Sequence, residues 1–278
     1  MSKLGGTTAL VAEAAIWIAG VALIASAAGM NWETDLQNAL NELTGSTPQP
    51  ETSAGPSAGA STSPTAAVVA SLAPGASPTL SPLAAKYQAY VARADYQIRA
   101  KYTSVTSYTL NGSPVQIDTS GTISYKAGDI ADSSRVTAAG RVTTYDIVAL
   151  GSVQYRSQNG GAWTKSARSA SSAAFDKLSL APAMLFVDMG VEVKNGASLH
   201  RLEVADAAAY STAYLKARAG ATGAQATCTV WVTEDGTPAD FKIEGWVEEP
   251  VQAVSTKTTF VTEYRIIDTS GVTITAPI

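Results

Sequence analysis

Hydrophobic and polar positions divide this chain into segments of different period. Residues 9–28 (ALVAEAAIWIAGVALIASAA) are apolar almost without interruption, with Glu13 as the one charge. As a helix this run covers about 30 Å, the thickness of a hydrocarbon core, and predicts a membrane anchor. In residues 31–43, Trp32, Leu36, Leu40 and Leu43 fall on one helical face. They predict a juxtamembrane helix with Trp32 at the interface. Residues 45–82 lack both a period and large apolar side chains; Ser, Thr, Pro, Ala and Gly fill them. Nothing there offsets the entropy of ordering, so a disordered tether is expected, spanning roughly 30–37 Å as a flexible coil and more with its prolines.

From residue 83 onward the patterns are those of a folded domain. Tyr87, Tyr90, Val91, Ala94, Ile98 and Tyr102 recur every three or four positions and predict a helix over 83–103. After Asn111-Gly112, a strong hairpin signal, the period drops to two. Val115, Ile117, Thr119, Gly121, Ile123 and Tyr125 alternate with polar residues, which predicts a strand with one wet face. Further strands are expected at 142–150, 152–157, 191–204 (turning at Asn195-Gly196), 226–233, 239–248, 256–267 and 272–276. Short helices are expected at 169–178 and 205–219, and an apolar helical segment at 181–189. Strands joined by tight turns pair antiparallel. The expected fold is α+β: a curved, unclosed antiparallel β-barrel with helices covering its concave face, plus an N-terminal transmembrane helix. The expected regions are 1–30 (transmembrane anchor or signal segment), 31–44 (juxtamembrane helix), 45–82 (disordered linker) and 83–278 (β-rich domain).

Charge sets the address. Lys3 and the amino terminus precede the apolar run, and Glu33, Asp35 and Glu42 follow it. The positive-inside rule then places the remainder outside the cytoplasm, on a single-pass anchor. The alternative is a cleaved signal, since Ala25-Ser26-Ala27 has the small-x-small pattern, which would release a secreted protein after cleavage near Ala27.

Composition excludes several chemistries. Charged residues make up 15% and the net charge is −4, so no basic surface for nucleic acid is expected. Lys165 with Arg168, a sparse basic grouping, reads as solvated surface. Cys228 is the one cysteine and alternates with Val230 and Val232, as a buried thiol would. Trp231, on the opposite face, is either a partner-facing aromatic or packed under a helix. His200 is the one histidine, so a Ser–His–Asp site has a single candidate base, and it reads as a surface strand residue beside Arg201. No G-x-S-x-G, P-loop or dinucleotide fingerprint is present. Glu234 with Asp235 and Glu248 with Glu249 flank turns or strand ends, unlike carboxylates facing across a cleft. Asp129, Asp132 and Asp146 match no EF-hand spacing. Neither catalysis, a metal nor a cofactor is expected.

Three stretches carry a resemblance. They are Val153–Ser157 running through Asn159-Gly160-Gly161 to Trp163, then Trp231–Pro238, and the Asp268–Gly271 turn with Val272–Pro277. Over about residues 84–278 this pattern resembles the periplasmic lipoprotein carriers and lipid-binding lipoproteins typified by LolA, especially their LppX/LprG-like branch. The resemblance implies an unclosed antiparallel barrel with a helical lid, holding acyl chains in a hydrophobic cavity. The chain departs from that family in having no cysteine before Cys228 to carry a lipid; an uncleaved helix, residues 9–28, would anchor it instead.

The apolar set expected to line a cavity is Ile117, Ile123, Tyr125, Tyr145, Ile147, Val153, Tyr155, Met184, Leu185, Phe186, Phe260 and Tyr264. An ordinary filled core is the other reading of the same set. Residues 181–189, rich in Leu, Met and Phe, are the expected lid. The function expected is a membrane-tethered extracytoplasmic binding protein for a lipid, an acylated molecule or another hydrophobic ligand. The alternative is a cell-envelope sensory or interaction module that meets a protein partner and holds no lipid.

Overall fold

The computed structural model describes residues 81–277 apart from 111–112, 219 and 252–253. The expected anchor, the juxtamembrane helix, the tether up to residue 80 and the Asn111-Gly112 turn lie outside the described residues. Among the described residues no helix is long and apolar enough to cross a membrane.

Fourteen elements follow in chain order. They are α1 (Pro82–Val91), β1 (Gln97–Leu110), β2 (Ser113–Lys126), β3 (Asp129–Ala138), β4 (Arg141–Leu150), β5 (Val153–Gln158), β6 (Thr164–Ala167), α2 (Ala170–Leu180), β7 (Phe186–Lys194), β8 (Ala197–Val204), α3 (Ala207–Ala217), β9 (Gly223–Val232), β10 (Pro238–Val251) and β11 (Val254–Asp268). The eleven strands form one antiparallel sheet in the order β6-β5-β4-β3-β2-β1-β11-β10-β9-β8-β7. Two meanders thus meet at β1 and β11, and β6 and β7 are open edges, so the sheet is unclosed.

Register defines the inner face. Ala100 faces Ile123 on one side and Ile266 on the other, and Tyr102 faces Gly121 and Tyr264. Phe241 lies beside Tyr264, and Val230 beside Phe241. Of these, Val230 and Phe241, with Ile123, Tyr264 and Ile266 packed against them, join Tyr87 of α1, Leu180 of α2 and Tyr210 and Tyr214 of α3 in a single buried core. Each helix starts on a side-chain cap that satisfies a backbone N–H: Ser81 Oγ accepts from Ala84, Ser169 Oγ from Ser172, and Asp206 Oδ1 from Ala208 and Ala209. Ser81 and Pro82, the last residues of the expected tether, therefore open α1, where proline's missing N–H is harmless.

Four expectations are corrected. The helix over 83–103 ends at Val91, and residues 97–110 form β1. Ile98, Ala100, Thr106 and Tyr108 are buried at every second position, and the Thr-Ser-Val-Thr-Ser run favours a pleated surface. Strand β3 was not expected, because its inward positions include Asp132 and Ser134. Residues 181–189 are not a helix: α2 ends at Leu180 with Ala181 as its cap, Pro182 follows, and β7 begins at Phe186. Residues 272–276 form no strand; Val272 instead accepts from Lys126 Nζ at 3.1 Å and donates to Gln97 Oε1 at 2.9 Å.

Candidate functional site

A cavity of about 160 Å³ lies between the inner face of the sheet and the helices α2 and α3. Its floor is built from Tyr102, Ser104 and Thr106 of β1, Ile117, Thr119 and Ile123 of β2, Ile130 and Asp132 of β3, Ile147 and Ala149 of β4, Gln154 of β5, and Phe260, Thr262 and Tyr264 of β11. Its roof is Ser172, Phe175, Asp176, Ser179 and Leu180 of α2 with Tyr214 of α3 and Arg218. Five strand spacings separate β5 from β11, about 24 Å on a flat sheet. Gln154 and Tyr264 border one small cavity, so the sheet curls around its helices.

The roof is pinned at several points. Tyr96 donates to the Leu180 carbonyl at 2.6 Å, holding the end of α2. Arg168, just before α2, donates to Gly128 O and to Asp176 Oδ2, both at 2.8 Å. Phe175 meets Tyr214 edge to face at 5.5 Å, and Tyr214 stacks on Phe260 at 5.1 Å. Arg218 donates to both oxygens of Glu249 at 3.0 Å in a buried pair that fixes α3 to β10.

The floor carries one unusual polar arrangement. Tyr102 of β1 leans across β2 to donate to Asp132 Oδ2 of β3 at 3.2 Å. It can do so because β2 has Gly121 between them; a Cβ there would lie 2.8 Å from Tyr102 Cε1 and 2.6 Å from the Ser133 carbonyl. Asp132 as a residue is half-buried, but its Oδ1 is shielded from solvent and has no hydrogen-bond partner. Burial pushes this carboxyl up to about 7. Burial likewise pushes Asp176 up to about 7, against the pull of Arg168. Tyr214 is raised to about 12 and Tyr264 is raised as well, both by burial, so their phenols stay neutral.

Of the twelve residues expected to line a cavity, Ile117, Ile123, Ile147, Phe260 and Tyr264 do so. Tyr125 and Tyr145 are buried in the packed interior, Tyr145 under the Arg156 guanidinium at 4.8 Å. Val153 and Tyr155 face the other way: the register sets Gln154 beside Ala149 and Tyr155 beside Val148, so the glutamine enters the cavity and the tyrosine turns outward, under Lys165. Met184, Leu185 and Phe186 lie outside the cavity, and α2 occupies the place expected for a lid over 181–189. Phe186 packs edge-on against Tyr87 at 5.3 Å, Leu185 is exposed, and Gln88 binds the Met184 carbonyl at 2.6 Å.

Several other residues are also relocated. Arg168 is buried, not solvated surface. Glu249 is buried with Arg218, although Glu234 and Asp235 do sit in the β9–β10 turn. Trp231 is buried on the outer face beneath Lys194 and Glu192 of β7, not under a helix. His200 is half-buried, with Nδ1 at 3.4 Å from Asp188. Asp132 points inward while Asp146, paired with Ser133, points outward, and among the described residues no three His, Cys, Asp or Glu side chains converge on a metal site. Cys228 is fully buried and its thiol is pushed up to about 12 by burial.

No family model matches the chain, and no curated protein matches it in sequence. Among solved structures, the Mycobacterium tuberculosis lipoprotein LppX matches with a TM-score of 0.39 and 11% identity, covering 69% of this chain and 98% of that one. The ywiB protein of Bacillus subtilis matches at 0.25 and 6%, covering 62% of this chain and 94% of that one. A Vibrio parahaemolyticus domain described as an outer membrane lipoprotein-sorting protein matches at 0.23 and 13%, covering 67% and 89%. The structural neighbours thus include one lipoprotein, LppX, and one lipoprotein-sorting domain. At these TM-scores they carry no argument about ligand or activity.

Proposed function

We propose that this domain is a non-catalytic binding protein that holds a small hydrophobic molecule, or one end of a larger lipid or acylated molecule, beneath α2. The observation that carries this reading is the unfilled space of about 160 Å³ between the inner face of the sheet and the helices, lined mainly by apolar and aromatic side chains. Its size limits the ligand. A cavity of about 150 Å³ takes benzene, whereas drug-sized ligands occupy pockets of roughly 300–1,000 Å³. A ring or a short stretch of chain fits; a whole lipid would leave most of its length outside. Affinity would come from burying apolar surface on Ile117, Ile123, Ile147, Phe175 and Phe260, at about 25 cal/mol per Å². The apolar run 9–28 and the tether 45–82 support an address at the outer face of a membrane, with the domain on a leash.

Organic extraction of the purified full chain, followed by mass spectrometry, tests the reading. One hydrophobic species recovered near stoichiometry is the expected result, and Ile123→Trp, which fills the cavity, should abolish it. A chain that carries nothing, and that binds no small aromatic probe, overturns the proposal. A second reading, an envelope interaction module, is favoured by the open edge of β7, where Val191 and Val193 are 61% and 74% exposed. A stoichiometric protein partner that is lost on Val193→Lys, with no extracted lipid, would support that reading.

A further inference from the structure

We infer that the cavity selects a ligand bearing an organic ammonium group, with Asp132 as the carboxylate that receives it. This rests on the proposal that the cavity is a ligand site. The argument begins with a charge count over the cavity wall. Arg168 is matched by Asp176 at 2.8 Å, and Arg218 by Glu249 at 3.0 Å. Those two pairs are complete. Asp132 remains, with two neutral hydroxyls, Tyr102 and Ser134, acting on its carboxylate, no cation paired with it, and Oδ1 shielded without a close partner.

A buried polar atom without a partner is costly, and folded proteins retain few of them. Here the residue lines the cavity, so a ligand that brings an N–H, with a turn of the carboxylate toward it, supplies the missing partner. The walls favour a cation over a neutral donor. Tyr102, Phe175, Tyr214, Phe260 and Tyr264 surround the space, and aromatic faces attract a positive charge in a water-poor site. An ammonium beside Asp132 would balance the wall's charge, and an alkyl or aryl body would fill the apolar remainder. A carboxylate or phosphate ligand would meet Asp132 with like charge.

The ionisable groups facing Asp132 are Tyr102 on β1, Tyr264 on β11 and Asp176 on α2 with its Arg168, and Asp146, on the outer side of β4, acts on it through the sheet. Burial raises Asp176 to about 7 as well, and Asp176 keeps Arg168 at 2.8 Å.

The test compares benzylamine with benzyl alcohol, near-isosteres of the cavity's size, on the full 278-residue chain in neutral detergent, with detergent alone as the blank. At pH 8 the amine should bind at least about tenfold more tightly, as a charge-assisted hydrogen bond requires. The preference should shrink at pH 5.5, where Asp132 holds a proton. In Asp132→Asn the two probes should bind alike at both pH values. Should that variant fail to fold, the wild-type contrast at the two pH values decides alone. Equal binding of amine and alcohol by the wild type at pH 8, or an amine preference that survives Asp132→Asn, overturns the inference and leaves the hydrophobic site standing. Binding of neither probe overturns the site itself and the inference with it.

Discussion

Gly121 shows how one missing methyl group shapes the cavity floor. Tyr102 crosses β2 only because nothing projects from position 121, and Asp132 gains a hydrogen bond as a result. Gly121→Ala places a Cβ against both a tyrosine ring and a carbonyl. Overpacking of this kind costs about 2 kcal/mol, so urea unfolding should show a loss of that order, and tyrosine fluorescence should report the displaced ring. Asp132 makes a different prediction. Its folded value of about 7 stands above the ordinary aspartate value of about 3.9 expected in the unfolded chain. Between those values the folded state holds a proton that the unfolded state has lost. The resulting stability is fully present below about pH 4 and disappears as pH rises through 7. Unfolding free energy should therefore fall from pH 4 to pH 8. Asp132→Asn should remove part of that fall, on the order of a few kcal/mol, with Asp176 retaining another part.

At the scale of elements, the helices are held by a few polar ties as much as by their small apolar faces. Arg218 and Glu249 join the end of α3 to β10 in a buried pair. Glu249→Ala leaves a buried guanidinium uncompensated and should cost about 3 kcal/mol in thermal or urea unfolding. Replacing both partners by Met and Leu should recover most of that loss, because the strain lies in the unpaired charge and not in the absence of the pair. The same scale explains what could be read from residues alone. Tight hairpins were legible: Asn195-Gly196 and Asn159-Gly160 both adopt the left-handed conformation their side chains favour. Strand β2 was legible from its alternation. Strand β3 and the polar part of the cavity were not, for one reason. A hydropathy pattern records polarity, not direction, so Asp132 and Gln154, which point inward, look like members of a wet face, and Val153 and Tyr155, which point outward, look like cavity lining. Tyr102 was hidden in another way, since the helical spacing of Tyr87, Val91 and Ile98 continues by coincidence into β1. Once β3 is recognised as a strand, an acidic residue in phase with Ile130 and Val136 becomes visible as an anomaly, and that is the signal that would have found the site.

At the scale of the whole molecule, the sheet is two stacks of hairpins with a single long-range seam. Strands β1 to β6 are each hydrogen-bonded to their neighbours in sequence, as are β7 to β11 apart from the passage of α3 between β8 and β9. Only the β1–β11 pairing, from Arg99 with Asp268 to Ser107 with Thr259, joins the first folded strand to the last. Pairings between close neighbours in sequence have little loop entropy to overcome, and the seam has much more. The two stacks should therefore form early and the seam late. Pulse-labelling hydrogen exchange during refolding checks this: amides in β3–β5 and β9–β10 should gain protection before those that β1 and β11 share. Tyr102, Ser104 and Thr106 stand on one side of that seam, and Phe260, Thr262 and Tyr264 on the other. The cavity thus comes into being only when β11 has paired with β1. A chain that lacks β11 can hold most of the sheet and still have no cavity, so any molecule that the cavity proves to take would have to enter after the seam has closed and could not guide its formation.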